Sequence, residues 1–213
     1  MKRIQTKLFL LLVLLVLLIG CVGCEMASEK GDKEHNTEVT KTDTKVDSTV
    51  KLSDKEVKDI LNQLIPKALN IHVGLFNTSN EFKVDETKTI PGDVGYVLVL
   101  DEKVKTVADL KKTVEEVFTK DIAQKVFYSR YLTPEKGDRP RYKDYDGKLY
   151  VDIETGGRGW ATTFLIDSAK LKGQKGRVAE IELNRTVLDD PADPLTIKIE
   201  YVNGKWLLAS RLD

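Results

Sequence analysis

The apolar residues of this chain change their spacing near Leu132, and that change limits the folds open to it. Before Leu132 they recur every three or four residues, as in amphipathic helices, and after it they alternate with polar residues, as in strands. Two hairpin signals lie in the second part, Asp146-Gly147 and Asn203-Gly204, whose turns need positive φ. This order predicts an α+β fold in which N-terminal helices pack on one face of a curved antiparallel β-sheet.

The first predicted helix has a clear start. Ser53 and Glu56 have the spacing of a capping box, in which each side chain binds the backbone amide of the other residue. An apolar stripe behind this cap runs as far as Phe76. Pro66 lies within the stripe, and we expect it to kink or split the helix because it cannot donate a backbone hydrogen bond.

Two more helices are predicted after Thr106 and Thr119, which are typical N-cap residues. Residues 94–100 form a β-branched run between turn signals and are predicted to be a strand, whereas residues 81–89 are polar and show no pattern. Further strands are expected at residues 141–145, 148–153, 160–166, 178–183, 195–202 and 205–212.

The N-terminus has the order of an export signal. Three basic residues precede an apolar run at residues 8–19, which is too short to span a bilayer as a helix. The run ends in Leu18-Ile19-Gly20-Cys21, which resembles a bacterial lipobox. That resemblance implies cleavage before Cys21 and a diacylglycerol on its thiol, so we expect a protein outside the cytoplasm, held to the membrane by lipid.

Domain organisation follows from these boundaries. Residues 1–20 are predicted to be the signal peptide, and residues 21–52 the lipidated cysteine with a tether. The tether is rich in charged residues and in Thr and Ser, without an apolar period, so it is predicted to be disordered. Residues 53–213 are predicted to form a single α+β domain.

Composition excludes several classes of function. The formal net charge is zero, and loss of the basic leader makes the chain slightly acidic, so nucleic acid is not an expected partner. Both cysteines, Cys21 and Cys24, lie at the processing site. The domain therefore has no disulfide, no thiol nucleophile and no cysteine-based metal site.

Catalytic patterns are also missing. The two histidines, His35 and His72, stand alone, and no phosphate-binding loop, nucleophile elbow or dinucleotide fingerprint occurs. Two carboxylate pairs, Asp144 with Asp146 and Asp152 with Glu154, leave open a hydrolase that works through acids. Turn formation and a solvated strand face explain these acids better. We therefore expect no enzymatic activity, no cofactor and no metal.

Loops are the remaining candidates for recognition, at residues 133–140, 155–159 and 188–194. The third is acidic and contains two prolines, which lower the entropy cost of presenting a fixed shape. Its carboxylates are predicted to contact a partner, with two cations at the rim of the contact. The candidate partner-binding residues are Asp189, Asp190, Asp193, Arg158 and Arg139.

Several segments together resemble the DL-endopeptidase inhibitor (IseA-like) family, over most of residues 53–213. They are Leu64-Ile65-Pro66-Lys67-Ala68-Leu69-Asn70, Gly74-Leu75-Phe76, Val117-Phe118-Thr119-Lys120, Ile122-Ala123, Asp146-Gly147-Lys148-Leu149-Tyr150 and Gly204-Lys205-Trp206. The resemblance implies a non-enzymatic protein of the cell envelope. Members of the family bind the catalytic domain of NlpC-type cysteine peptidases that cut peptidoglycan stem peptides, and they occlude its cleft.

The same segments are compatible with other exported domains of cystatin-like or NTF2-like shape. The alternative function is therefore binding of a small ligand or peptide in an apolar cavity. A sizeable pocket lined by Trp160, Phe164 or Tyr150, with a few convergent polar groups, would favour that alternative.

Overall fold

The computed structural model describes residues 51–77, 82–135, 137–155 and 159–213. The predicted signal peptide, Cys21 and the tether up to residue 50 lie outside these residues. All described residues belong to one unit, Asp47–Asp213. Its core begins one residue earlier than predicted, because Leu52 is buried and its N–H donates to Gln174 Oε1 at 2.9 Å.

Helix α1 spans Asp54–Leu69 and begins with the predicted capping box. Ser53 N donates to Glu56 Oε2 at 2.8 Å, and Glu56 N donates to Ser53 Oγ at 3.3 Å. Pro66 does not split the helix, and a π-helical segment, Asn70–Leu75, follows α1 directly. The buried face of α1 consists of Val57, Leu61, Leu64, Ile65 and Ala68.

Two further helices form near the predicted positions. Helix α2 spans Val107–Glu115, and the hydroxyl of Thr106 accepts a capping hydrogen bond from its first turn. Helix α3 is short, Lys120–Ala123, and continues as a second π-helical segment, Gln124–Leu132. Thr119 is the N-cap residue of this helix, as predicted, but its side chain makes no capping hydrogen bond. None of the helices within the described ranges has the length and apolar character needed to cross a bilayer.

The strands form two four-stranded sheets, not one curved sheet. The strands are β1 (Val84–Ile90), β2 (Asp93–Val99), β3 (Tyr142–Tyr145), β4 (Lys148–Asp152), β5 (Thr162–Lys175), β6 (Val178–Val187), β7 (Asp190–Val202) and β8 (Lys205–Leu208). The first sheet has the order β1-β2-β4-β3, and the second is the meander β5-β6-β7-β8, both antiparallel. The meander does not continue from β4 into β5 because β2 occupies the free edge of β4.

Both predicted hairpin turns are present. Asp146 and Gly147 join β3 to β4 with φ of 47° and 69°, and Asn203 and Gly204 join β7 to β8 with φ of 49° and 85°. These left-handed residues match the right-handed twist of the paired strands, which is why Asp-Gly and Asn-Gly were good sequence signals.

One hydrophobic core joins the helices to both sheets. It contains Leu61 of α1, Phe127 of the second π-helical segment, Val97 and Val151 of the first sheet and Ile181 of the second. The predicted α+β class is therefore confirmed. Phe76, which directly follows the first π-helical segment, meets Phe127 of the second in this core, with the two ring centroids 5.0 Å apart.

Candidate functional site

The acidic segment at residues 188–194, predicted to be a loop, instead forms a tight turn and the start of β7. Val187 and Asp190 pair across the hairpin, and only Leu188 and Asp189 lie between them, with φ of 52° and 69°. The two prolines are tolerated because, among the described strands, this part of β7 pairs with β6 alone. Their missing N–H groups are therefore not needed by a strand on the other side.

This turn, residues 187–190, is called the hairpin end below, and it presents an apolar side chain among acids. Leu188 is 77% exposed, an unusual exposure for leucine, and its left-handed backbone costs roughly 1–2 kcal/mol. Asp189, Asp190 and Asp193 are all exposed, and no ion pair within the described residues neutralises them. Backbone strain of this kind persists where the surrounding structure holds it, and it often marks a functional site.

Of the two candidate rim cations, Arg158 lies outside the described residues, and Arg139 does not lie at the hairpin end. Arg139 lies beside the first sheet, where its Nη2 is 2.7 Å from Asp93 Oδ1 and its Nε is 3.0 Å from Asp152 Oδ2. The guanidinium also lies 4.9 Å from the centroid of the Tyr96 ring. Arg139 therefore holds the first sheet together and does not pair with the acidic segment.

The carboxylates weighed as catalytic acids have structural partners. Asp152 is fully buried, not on a solvated face as predicted, and it accepts from Arg139, from Glu154 N at 2.9 Å and from Thr155 Oγ1 at 2.8 Å. The Glu154 side chain is 62% exposed. Asp144 Oδ1 accepts from Val107 N, the first residue of α2, at 2.7 Å. Neither pair is a buried couple of facing acids.

A cleft of about 320 Å³ lies between the two π-helical segments and the start of β5. Trp160, which the sequence named as a pocket residue, lines it, and Phe164 packs behind with its ring centroid 6.2 Å from that of Trp160. Tyr150 lies elsewhere, in a small cluster with Tyr96 and Leu98. Besides Trp160, the side chains that matter here are His72, Asn77, Lys125, Arg130, Arg211 and Asp213.

Two polar atoms buried in this cleft have no hydrogen-bond partner in the described part of the chain. They are His72 Nε2 and Asn77 Oδ1, and Asn77 is only 8% exposed. The His72 ring packs between Phe127 and Trp160, with centroid distances of 4.8 and 5.1 Å. Burial lowers the pKa of His72, so the ring is neutral at pH 7. An unpaired buried acceptor costs free energy that a bound donor would recover.

The charges around the cleft are mostly positive. Arg211 pairs with Asp213 through two hydrogen bonds of 2.8 and 2.7 Å, and this pairing lowers the pKa of the Asp213 side chain. Lys125 and Arg130 are exposed, and neither has an ion pair among the residues that the structure describes. The Arg130 guanidinium lies 5.1 Å from the centroid of the Tyr131 ring. As far as the described residues go, Lys125 and Arg130 are therefore available to bind an anion.

A larger cavity of about 630 Å³, beside α2, is a weaker candidate. Its acids already serve the local fold. Asp101 Oδ1 accepts from the N–H groups of Lys103 and Val104 at 2.8 and 2.7 Å. Asp109 binds the Thr106 hydroxyl at 2.8 Å. Size alone therefore does not make this cavity a binding site, since its two aspartates already have partners in the local fold.

No cluster of potential metal ligands occurs within the described ranges. No protein-family model matches the chain, and no curated protein is similar to it in sequence. The two candidate surfaces, the hairpin end and the cleft, are therefore characterised by their geometry.

Of the cleft residues, Trp160 was anticipated from sequence, whereas Asn77, Lys125 and Arg130 were not. For His72 the sequence argues only against a catalytic role and gives no sign that it lines a cleft. No motif links them, because they come from separate segments that meet only after folding. Both π-helical segments contribute, and such segments are frequent at functional sites, but they have no reliable sequence signature.

Proposed function

We propose that this protein is an extracytoplasmic lipoprotein, anchored through Cys21, that inhibits peptidoglycan DL-endopeptidases by occluding their active-site cleft. The observation that carries the proposal is the hairpin end, where exposed Leu188 stands on a strained two-residue turn beside exposed carboxylates. The proposal also draws on the resemblance of residues 53–213 to the DL-endopeptidase inhibitor family.

The hairpin end has the properties that occlusion of a peptidase cleft requires. Its turn is fixed by strand pairing on both sides, so little conformational entropy remains to be lost on binding. Full burial of the Leu188 side chain would contribute roughly 1.5–3 kcal/mol. Asp189, Asp190 and Asp193 offer carboxylates to a cleft built for anionic stem peptides. Charges at the rim of such a contact mainly raise the association rate.

The acidic contact is tested by replacing Asp189, Asp190 and Asp193 together with Ala. The readout is hydrolysis of peptidoglycan by a purified NlpC-type cysteine endopeptidase, at several salt concentrations. We expect the inhibition constant to rise about tenfold at low salt and less at high salt, because screening already weakens the lost attraction.

The matched control removes three negative charges elsewhere, by replacing Glu86, Glu102 and Glu116 with Ala. These residues are exposed and lie outside β6 and β7. This variant should inhibit as the unmodified chain does. Equal inhibition by both triple variants would contradict the role given to the acidic segment.

A second function, binding of a small ligand or peptide, is favoured by the cleft at Trp160. The cleft offers an aromatic wall, exposed cations and buried polar atoms that have no partner among the described residues, the combination expected of a ligand site. The two functions use different surfaces, so variants of one surface should leave the other activity unchanged.

A further inference from the structure

We propose that the cleft at Trp160 binds a small carboxylate that carries an N–H donor beside it, as an amino acid or the C-terminal end of a short peptide does. This inference rests on the second function proposed above, ligand binding in the cleft, and does not depend on inhibition. Three features of the cleft select this chemistry: a buried acceptor, two exposed cations and a limited volume.

The side-chain oxygen of Asn77 is an acceptor that needs a hydrogen-bond donor. Asn77 lines the cleft, and its buried Oδ1 has no partner in the described ranges, although most buried acceptors in folded proteins are paired. His72 lines the same cleft; the Nε2 of its neutral ring also has no partner among the described residues and can either donate or accept. A ligand N–H placed on Asn77 Oδ1 would remove the cost of the unpaired oxygen.

Two positive side chains, Arg130 and Lys125, favour an anionic ligand. Arg130 projects from the second π-helical segment with its guanidinium near the Tyr131 ring, 5.1 Å from the centroid. Such a planar fork binds a carboxylate through two hydrogen bonds. Arg211 is not included among the anion-binding residues, because its guanidinium already donates two hydrogen bonds to Asp213.

A carboxylate fits better than a phosphate. Asn77 and Asp213, which line the cleft, both carry side-chain acceptors, and inorganic phosphate at neutral pH would bring mainly further acceptors to them, with only one or two O–H donors. A carboxylate with an adjacent amide or ammonium group offers one charge to the cations and one donor to the acceptors.

The volume of the cleft suits a small ligand. The cleft is partly open to solvent, and its volume of about 320 Å³ can accommodate one small molecule. An amino acid, or one or two residues at a peptide end, is such a molecule. Trp160 gives a flat apolar wall beside the polar groups, and its own Nε1 is already bound to Thr162 O at 2.7 Å.

The test is calorimetric titration of the full chain, purified in detergent, with five probes. N-acetylalanine has the carboxylate and the amide N–H. N-acetylalanine amide lacks the carboxylate, and O-acetyllactate replaces the N–H with an ester oxygen. Free alanine and inorganic phosphate complete the set. We expect N-acetylalanine to bind, with affinity about tenfold lower when either group is removed.

Comparison with free alanine distinguishes the two possible ligands, a free amino acid and a peptide end. Tighter binding of free alanine than of N-acetylalanine points to an amino acid, and the reverse points to a peptide end. Tighter binding of phosphate than of either carboxylate would overturn the carboxylate class but leave a ligand-binding cleft. Absence of heat with all five probes would overturn ligand binding itself.

Two substitutions place the binding in the cleft. Arg130→Gln removes the cation, and Asn77→Leu removes the acceptor at nearly equal volume; each should weaken N-acetylalanine about tenfold. Arg177→Gln is the matched control, since Arg177 is exposed in the turn between β5 and β6. Equal affinity of all three variants and the unmodified chain would contradict the proposed site.

Discussion

His72 is a titratable residue with aromatic neighbours and no hydrogen bond to its Nε2 among the described residues. Burial is the main cause of its lowered pKa, with Arg211 and Arg130 adding to the effect and Asp213 opposing it. The folded protein therefore binds the proton less readily than the unfolded chain does. Stability is full above the ordinary pKa of about 6.5 and falls as the pH drops below it.

The first prediction follows from this direction of the pH dependence of stability. Between pH 7.5 and pH 5, the free energy of unfolding of the unmodified chain should fall. The part of this decrease that protonation of His72 causes should be absent in His72→Phe. Urea denaturation at both pH values measures it. The Asp213 side chain, with its lowered pKa, stays ionised throughout. Equal pH dependence of the two proteins would contradict the role of His72.

Asn77 gives the second prediction. Its buried Oδ1 is unpaired in the described structure, so Asn77→Leu should stabilise the free protein by about 1 kcal/mol, because a desolvated acceptor is removed. Urea denaturation without ligand is the measurement. Asn184→Leu, at an exposed position of β6, is the control and should change stability little. A destabilised Asn77→Leu would show that the oxygen has a partner in the folded protein.

Asp152 gives the third prediction, because it is a buried carboxylate with three donors. Asp152→Ala leaves the Arg139 Nε, the Glu154 N–H and the Thr155 hydroxyl without their acceptor. We expect a loss of about 2–3 kcal/mol, reduced by the partial exposure of Arg139. Glu154→Ala, 3.9 Å from Arg139 and exposed, should cost less than about 0.5 kcal/mol. Thermal or urea denaturation measures both losses of stability. Similar values for Asp152→Ala and Glu154→Ala would contradict this prediction.

At the level of secondary-structure elements, the hairpin end departs from the usual chemistry of its turn. Two-residue turns with both residues at positive φ prefer Asn-Gly, and this one has Leu188-Asp189. Replacing the pair by Asn-Gly should stabilise the protein by about 1 kcal/mol, since leucine is strained in the left-handed region. Urea denaturation measures the gain. A loss of stability would mean that Leu188 makes contacts that outweigh its strain.

Elements with local signals could be predicted from sequence, and those without could not. The capping box at Ser53 and the Asp-Gly and Asn-Gly hairpins each depend on two or three neighbouring residues. β1 is a polar strand at the edge of its sheet, so no apolar alternation marks it. The turn at Leu188 was missed because leucine does not favour positive φ and the prolines indicated a loop.

At the scale of the molecule, the α+β class followed from the order of the elements, but the pairing of the strands did not. The sequence suggested one continuous sheet, whereas β2 pairs with β4 and separates the strands into two sheets. Long-range pairing of this kind depends on which apolar faces meet, and local periodicity does not specify that. The cleft has the same origin, since its walls come from distant parts of the chain.

The Asn-Gly replacement at Leu188 and Asp189 also tests the central claim, inhibition by the hairpin end, most directly. The measurement is the inhibition constant of the full chain against a purified NlpC-type peptidoglycan endopeptidase, with and without the replacement. We predict that the unmodified chain inhibits and that the variant, although more stable, inhibits about tenfold less. Equal inhibition by both proteins, or none by either, would contradict the claim.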